Sequence, residues 1–303
     1  MISDQKKIFI QTNDQQWLGA LVSAYSLKRN SKNPDAFDVE IMHVRDFPFL
    51  AAKEGQEFLR GGTTRIWRMD DLQSFTPLRF LPPALMGHKG RAVVIDPDIF
   101  AVGDIDELLS RDMKDAAVMG RRRSSKAEKS WQIATSLMLM DCARLRHWQA
   151  EQEFDDLFRF DRDYKDWIVL GHEKPENIGI LEDEWNDFDR LSDKTKLLHN
   201  TKRRTQPWKT GLPVDYVPAD KLRKFPPLWK LNRLRARFFG EYGLLGTYQP
   251  HPDPCQEKFF FSLLRECLDK GVISEATVRD EMAKNHVRHD ALELAQRTMP
   301  EAA

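Results

Sequence analysis

Apolar residues along this chain follow two periodicities, and their alternation lays out its first two hundred residues. Residues 7–11 form a short apolar run closed by the polar Thr12, Asn13 and Asp14, after which Trp17, Leu18, Leu21, Val22, Tyr25 and Leu27 recur at helical spacing. This predicts strand, loop, helix. Residues 37–44 (FDVEIMHV) alternate as a second strand, and Arg91–Ile95 (RAVVI) is a β-branched run of the kind buried on both faces of a parallel sheet. Strands separated by helical stretches predict an α/β sheet. Residues 99–102 and 135–141 (TSLMLMD) read as further strands, 144–158 as a helix, and 196–199 as a short strand ending at His199. Asp104 and Glu107, three residues apart, have the form of a capping box opening a helix over 105–109.

The pattern changes after the proline-punctuated stretch 212–227, whose end is taken as a domain boundary. Residues 229–239 set Leu231, Leu234 and Phe238 at helical spacing among Lys230, Arg233, Arg235 and Arg237, and 259–268 and 274–297 read as amphipathic helices. The expected organisation is an α/β domain over 1–225 and a mostly helical extension over 226–303. Composition narrows the class. Three cysteines are too few and too scattered for a disulfide scaffold or a paired-ligand zinc site, which favours a reducing, cytoplasmic setting. No run of signal-peptide or membrane-spanning length occurs. Lys plus Arg equals Asp plus Glu at 47 each, so nothing in the bulk charge draws the chain to nucleic acid.

The candidate chemistry begins at Asp96-Pro97-Asp98, directly after the run RAVVI, because open α/β sheets bind ligands at the carboxyl ends of their strands. Two carboxylates one residue apart can share a hard cation, and Mg²⁺ or Mn²⁺ there would bridge phosphate oxygens and neutralise a leaving diphosphate. The same tripeptide also reads as a plain turn. His199 ends the apolar LLH run and suits Mn²⁺ better than Mg²⁺, although a histidine at a strand end is commonly structural. Lys202, Arg203 and Arg204 follow it, either as donors to phosphate oxygens or as a solvated loop.

Residues 75–109 (FTPLRFLPPALMGHKGRAVVIDPDIFAVGDIDELL) resemble the family 8 glycosyltransferases, the group of glycogenin, galactinol synthase and bacterial lipopolysaccharide glycosyltransferases. The matching features are Arg79 ahead of the D-x-D of Asp96 and Asp98, the Gly103-Asp104-Ile105 turn, the strand and loop at 8–26, the strand at 135–141, Glu184-Trp185-Asn186, and the segment HNTKRRTQPW. The resemblance spans roughly residues 7–210. It implies a GT-A (Rossmann-like) nucleotide-sugar-binding domain, a retaining metal-dependent hexosyltransferase, a nucleotide-sugar donor such as a UDP-sugar, and Mn²⁺ or Mg²⁺. It implies that Asp96, Asp98 and His199 hold the metal, that Gln11, Thr12 and Asn13 meet the base and ribose, and that Arg79 lies near the donor. Asp166 matches an aspartate that binds donor sugar hydroxyls, and Trp167 stands where the family has a glutamine facing the anomeric carbon.

The chain departs from the family pattern at Ala134, Trp167 and Gly171, and its last motif is one residue longer and lacks the usual glycine and lysine, whose phosphate role passes to Lys202, Arg203 or Arg204. These departures lie on the acceptor side, so the expected acceptor is only a class: a glycan, lipid-linked or small-molecule hydroxyl. The basic segment 221–239 suggests contact with an anionic membrane surface, or packing against the main domain. Two other readings stand beside transfer. One is a nucleotide-sugar-binding protein without turnover, motivated by Trp167 and Ala134; the other is a nucleotidyltransferase, which lacks its glycine-rich basic loop after the first strand.

Overall fold

The computed structural model describes residues 5–71, 74–124, 131–215 and 246–298. It divides into two units, one ending at His199 and the other beginning at Asn200. The boundary expected near residue 225 and the basic segment 221–239 lie outside the described residues.

The first unit is built on a six-stranded sheet in the order β2-β1-β5-β8-β7-β9. Its strands are β1 (Lys6–Thr12), β2 (Asp38–His43), β5 (Arg91–Ile95), β7 (Val118–Ser124), β8 (Trp131–Asp141) and β9 (Ile178–Leu181). Strand β1 runs parallel to both β2 and β5, whereas β8 lies antiparallel between β5 and β7. The apolar runs are continuous because both faces are covered. Ile8, Ile10, Val93, Ile95, Leu137 and Leu139 point into one buried cluster, and Phe9, Val94, Met138 and Met140 into the other. Helix α1 (Trp17–Arg29) covers the first face through Ala20 and Leu27. The second face carries an aromatic cluster in which Phe154 meets Trp67 at 4.9 Å and Phe158 at 5.0 Å. A hairpin of β3 (Glu57–Arg60) and β4 (Thr63–Ile66) stands beside it.

The pairing of β7 with β8 shifts register between Met119 and Arg121, where four β8 residues, Thr135 to Met138, stand against the single Gly120. A Cβ there would sit 2.6 Å from Ile133 Cγ2. A second, three-stranded sheet joins β10 (Asp187–Phe188), β11 (Leu197–His199) and β6 (Ile99–Ala101). Its register sets His199 opposite Ile99, so a residue a hundred positions downstream reaches the DPD turn.

Three expectations are corrected. The helix predicted over 144–158 begins only at Ala150, because Trp148 turns inward against Phe80 (5.3 Å) and donates from Nε1 to Glu173 (2.7 Å). The capping box is not reciprocal: Asp104 Oδ1 accepts from Asp106 N (3.0 Å), but Glu107 reaches Lys196 Nζ (2.7 Å) instead. The helix predicted over 274–297 is two helices, Glu275–Ala283 and Ala291–Arg297, separated where Asn285 takes φ 59° and Arg288 N bonds the carbonyl of Trp208 (2.8 Å).

That last bond belongs to the second unit, whose longest described helix is Pro254–Asp269, capped by Asp253. Trp208 packs on Phe260 with ring centroids 4.8 Å apart. Lys209, wholly buried, is paired with Asp215, which also accepts from the Tyr248 hydroxyl.

Candidate metal and phosphate site

The DPD turn closes β5. Asp96 is held by its backbone N–H to the carbonyl of Ser136 on β8 (2.9 Å), and Ile99 N returns to the Asp96 carbonyl (3.2 Å), so the turn points both carboxylates out beyond the strand end. Among the described residues, Asp96, Asp98 and His199 form a group whose ligand atoms all lie within 4.8 Å of one another. Ligands on opposite sides of a small dication lie about 4 Å apart, so this span needs only small adjustment to close on an ion. Two carboxylates and one imidazole are a donor set that Mn²⁺ accepts readily.

The histidine is prepared for that role by its neighbours. His199 Nδ1 lies 2.8 Å from Asn186 Oδ1, and the Asn186 amide nitrogen donates to Ser136 Oγ at 3.1 Å. An amide oxygen only accepts, so the Nδ1 proton belongs to that bond and the Nε2 lone pair faces the carboxylates. Nε2 stands 3.3 Å from Asp98 Oδ1, close enough for one cation to bind both. Asn186 itself is steadied by Arg121, which donates from Nη1 to its backbone carbonyl (2.6 Å) and lies over the Phe188 ring.

Asp96 is engaged from the other side by Arg79, on the short 3₁₀ turn Thr76–Phe80. Its Nη2 donates to both Asp96 oxygens (2.7 and 2.6 Å), its Nε to Oδ1 (3.2 Å), and its Nη1 to Thr135 Oγ1 (3.0 Å). Thr135 Oγ1 in turn donates to the carbonyl of Ile168 (2.6 Å), which ties the 164–171 turn to the same network. Gln11, on β1, also donates from Nε2 to Asp96 Oδ1. Gln11 Oε1 and Asn13 Oδ1 are buried without a hydrogen-bond partner among the described residues, an arrangement that costs free energy unless a donor arrives from outside the chain.

No family model and no curated protein matches this chain. Solved structures do match. They include the apo bifunctional glycosyltransferase WbbM (13% identity over 69% of this chain and 48% of that one, TM-score 0.47) and the galactosyltransferase LgtC with donor and acceptor sugar analogues (12%, 67% and 89%, 0.47). A third is the glycosyltransferase GlyE of Streptococcus pneumoniae TIGR4 (15%, 88% and 64%, 0.48). The chain thus spans about half the length of the first and just under two thirds of the third. At such identities and TM-scores the likenesses assign no activity, and the functional argument rests on the site's own residues.

The other expected site residues separate. Pro97 is buried within the turn, and Thr12 and Asn13 sit buried at the end of β1. Asp166 is exposed on the one-turn helix Tyr164–Trp167. Trp167, on the same turn, points into the core: it is 3% exposed, stacks on Phe80 at 4.5 Å and donates from Nε1 to Glu153 (2.9 Å). It borders a cleft of about 190 Å³ whose other polar lining groups are His147, Trp148, Glu153, Arg162, His172 and Glu173, with His147 and Trp148 both bonded to Glu173. Lys202, Arg203 and Arg204 open the second unit. The residues that sequence reasoning missed are Thr135 and Ser136, hidden in an apolar strand, and Asn186, which stood in a matched segment without a role. Gln11, expected at a nucleotide base, donates its amide nitrogen to Asp96 and keeps its amide oxygen without a partner among the described residues.

Proposed function

We propose that this protein transfers a hexose from a nucleotide-sugar, such as a UDP-sugar, to a hydroxyl of a glycan, lipid-linked or small-molecule acceptor, with retention at the anomeric carbon. The observation that carries the proposal is the convergence of Asp96, Asp98 and His199 at the end of β5, with His199 Nδ1 bonded to Asn186 Oδ1 and Nε2 turned toward Asp98. These three residues would hold Mn²⁺, or Mg²⁺, which when bound supplies charge neutralisation to the departing diphosphate. Arg79 offers a fixed guanidinium at the same point, where negative charge develops as the glycosidic bond to phosphate breaks. The orphaned oxygens of Gln11 and Asn13 are acceptors for N–H or O–H groups of the nucleoside. Asp166, exposed on its turn, would accept from sugar hydroxyls, and Lys202 and Arg203, close behind His199 in sequence, would donate to phosphate.

The GT-A arrangement expected from sequence agrees with the mixed α/β sheet and the metal-ligand turn after β5. Binding of nucleotide-sugars is tested by a thermal-shift screen with and without Mn²⁺; a Mn²⁺-dependent rise with a nucleoside diphosphate sugar is expected, and no shift with any donor would refute the reading. One observation favours a second reading, binding without turnover: Trp167 leaves no polar side chain where the resemblance places one beside the anomeric carbon. Product formation in the presence of donor, acceptor and Mn²⁺ separates the two.

A further inference from the structure

We infer that Arg79 is a resident counter-ion of Asp96 which competes with the divalent cation for that carboxylate, so that cation and nucleotide diphosphate bind cooperatively. The inference rests on the cation-site reading above. Asp96 Oδ1 accepts from Arg79 Nε and Nη2 and from Gln11 Nε2, and Oδ2 accepts from Arg79 Nη2. An Asp96 oxygen already lies within 4.8 Å of the ligand atoms of Asp98 and His199, so a cation gathered there shares its carboxylate with the guanidinium fork. That fork is braced from behind by Thr135, which is itself held by the carbonyl of Ile168. The two side chains are only 11% and 12% exposed, so solvent screens the pair weakly.

A dication drawn to Asp96, Asp98 and His199 therefore meets a fixed positive charge at one of its own ligands. Cation binding alone must either break the ion pair or accept like-charge repulsion, and a freed guanidinium in so buried a place needs another anion. A diphosphate supplies that anion at the place where the cation enters. By linkage each of the two raises the affinity for the other, and Arg79 sets the size of the effect.

The test is direct titration of the full chain with Mn²⁺, read as free Mn²⁺ by electron paramagnetic resonance, with and without UDP. The parent should take up Mn²⁺ weakly alone and more tightly with UDP. Arg79→Met should bind Mn²⁺ alone about tenfold tighter than the parent or more, with a smaller gain on adding UDP. Arg79→Lys, which keeps the charge but loses the fork, should fall between. Thr135→Val removes the brace without touching Asp96 and should tighten Mn²⁺ binding by a smaller factor, which keeps the test open if Arg79→Met melts early. Measurable Mn²⁺ binding that is unchanged or weakened in both variants overturns the competition and leaves the cation site standing. An absence of Mn²⁺ binding in parent and variants, with and without UDP, removes the site and the competition together.

Discussion

Replacing Asn186 with leucine changes little volume but removes the acceptor that commits His199 to one tautomer. Asn186 is wholly buried, and His199 is 5% exposed, so water does not replace the lost bond. Leaving the Nδ1–H without an acceptor costs about 1–3 kcal/mol. The imidazole has a cheaper alternative: it moves its proton to Nε2, which then donates to Asp98 Oδ1, already 3.3 Å away. That shift closes the nitrogen needed for the metal. Loss of an outer partner of this kind typically lowers metal affinity 10–100-fold, about 1.4–2.8 kcal/mol. Urea unfolding without metal measures the structural part, and Mn²⁺ titration the binding part. Asn186→Asp keeps an acceptor for Nδ1 and should hold Mn²⁺ to within a few fold of the parent. If Asn186→Leu bound Mn²⁺ as tightly as the parent while Asp98→Asn did not, the orientation argument would be refuted.

Two further outcomes follow from groups outside the site. Burial pushes the Glu173 carboxyl up, but the donors Asn177 Nδ2, Trp148 Nε1, His147 Nε2 and Lys174 N outweigh it and hold it below the usual carboxylate range. A lowered folded value stabilises the protein above the ordinary glutamate range near 4.3, and the contribution disappears as pH falls through the lowered value. Glu173→Gln should therefore cost about 2–3 kcal/mol at pH 7 by urea unfolding and progressively less on acidification below about pH 4; a penalty independent of pH would contradict it. Burial pushes the thiols of Cys142 and Cys267 up to about 12, while Cys255 is exposed. Iodoacetamide at pH 8 should label Cys255 alone in the native protein, as read by peptide mass mapping, and rapid labelling of Cys142 or Cys267 would contradict the packing.

The parts of the site legible in sequence are those that local pattern controls. RAVVI followed by DPD announces a buried strand with two carboxylates at its end, and LLH announces a short strand ending in a ligand. Their meeting depends on the pairing of His199 with Ile99, a long-range register that periodicity does not encode. Ser136 looks like one more position in an apolar strand, and only the antiparallel placement of β8 beside β5 turns it toward Asp96 and Asn186. Trp167 shows the opposite limit. Its place along the chain matched a site position, but on a one-turn helix neighbouring side chains point apart, and Phe80, Phe154 and Glu153 draw the indole inward. The helix expected from residue 144 was similarly overridden by the inward turn of Trp148.

The central claim is that Asp96 and its two partners hold the cation on which sugar transfer depends. It is tested most directly by measuring product from a panel of nucleotide-sugars with Mn²⁺, in the parent and in Asp96→Asn. The account predicts turnover of at least one donor by the parent, lost on chelation, restored by Mn²⁺, and reduced by about a hundredfold or more in Asp96→Asn. Asp96→Asn turning over the same donor as fast as the parent would contradict it.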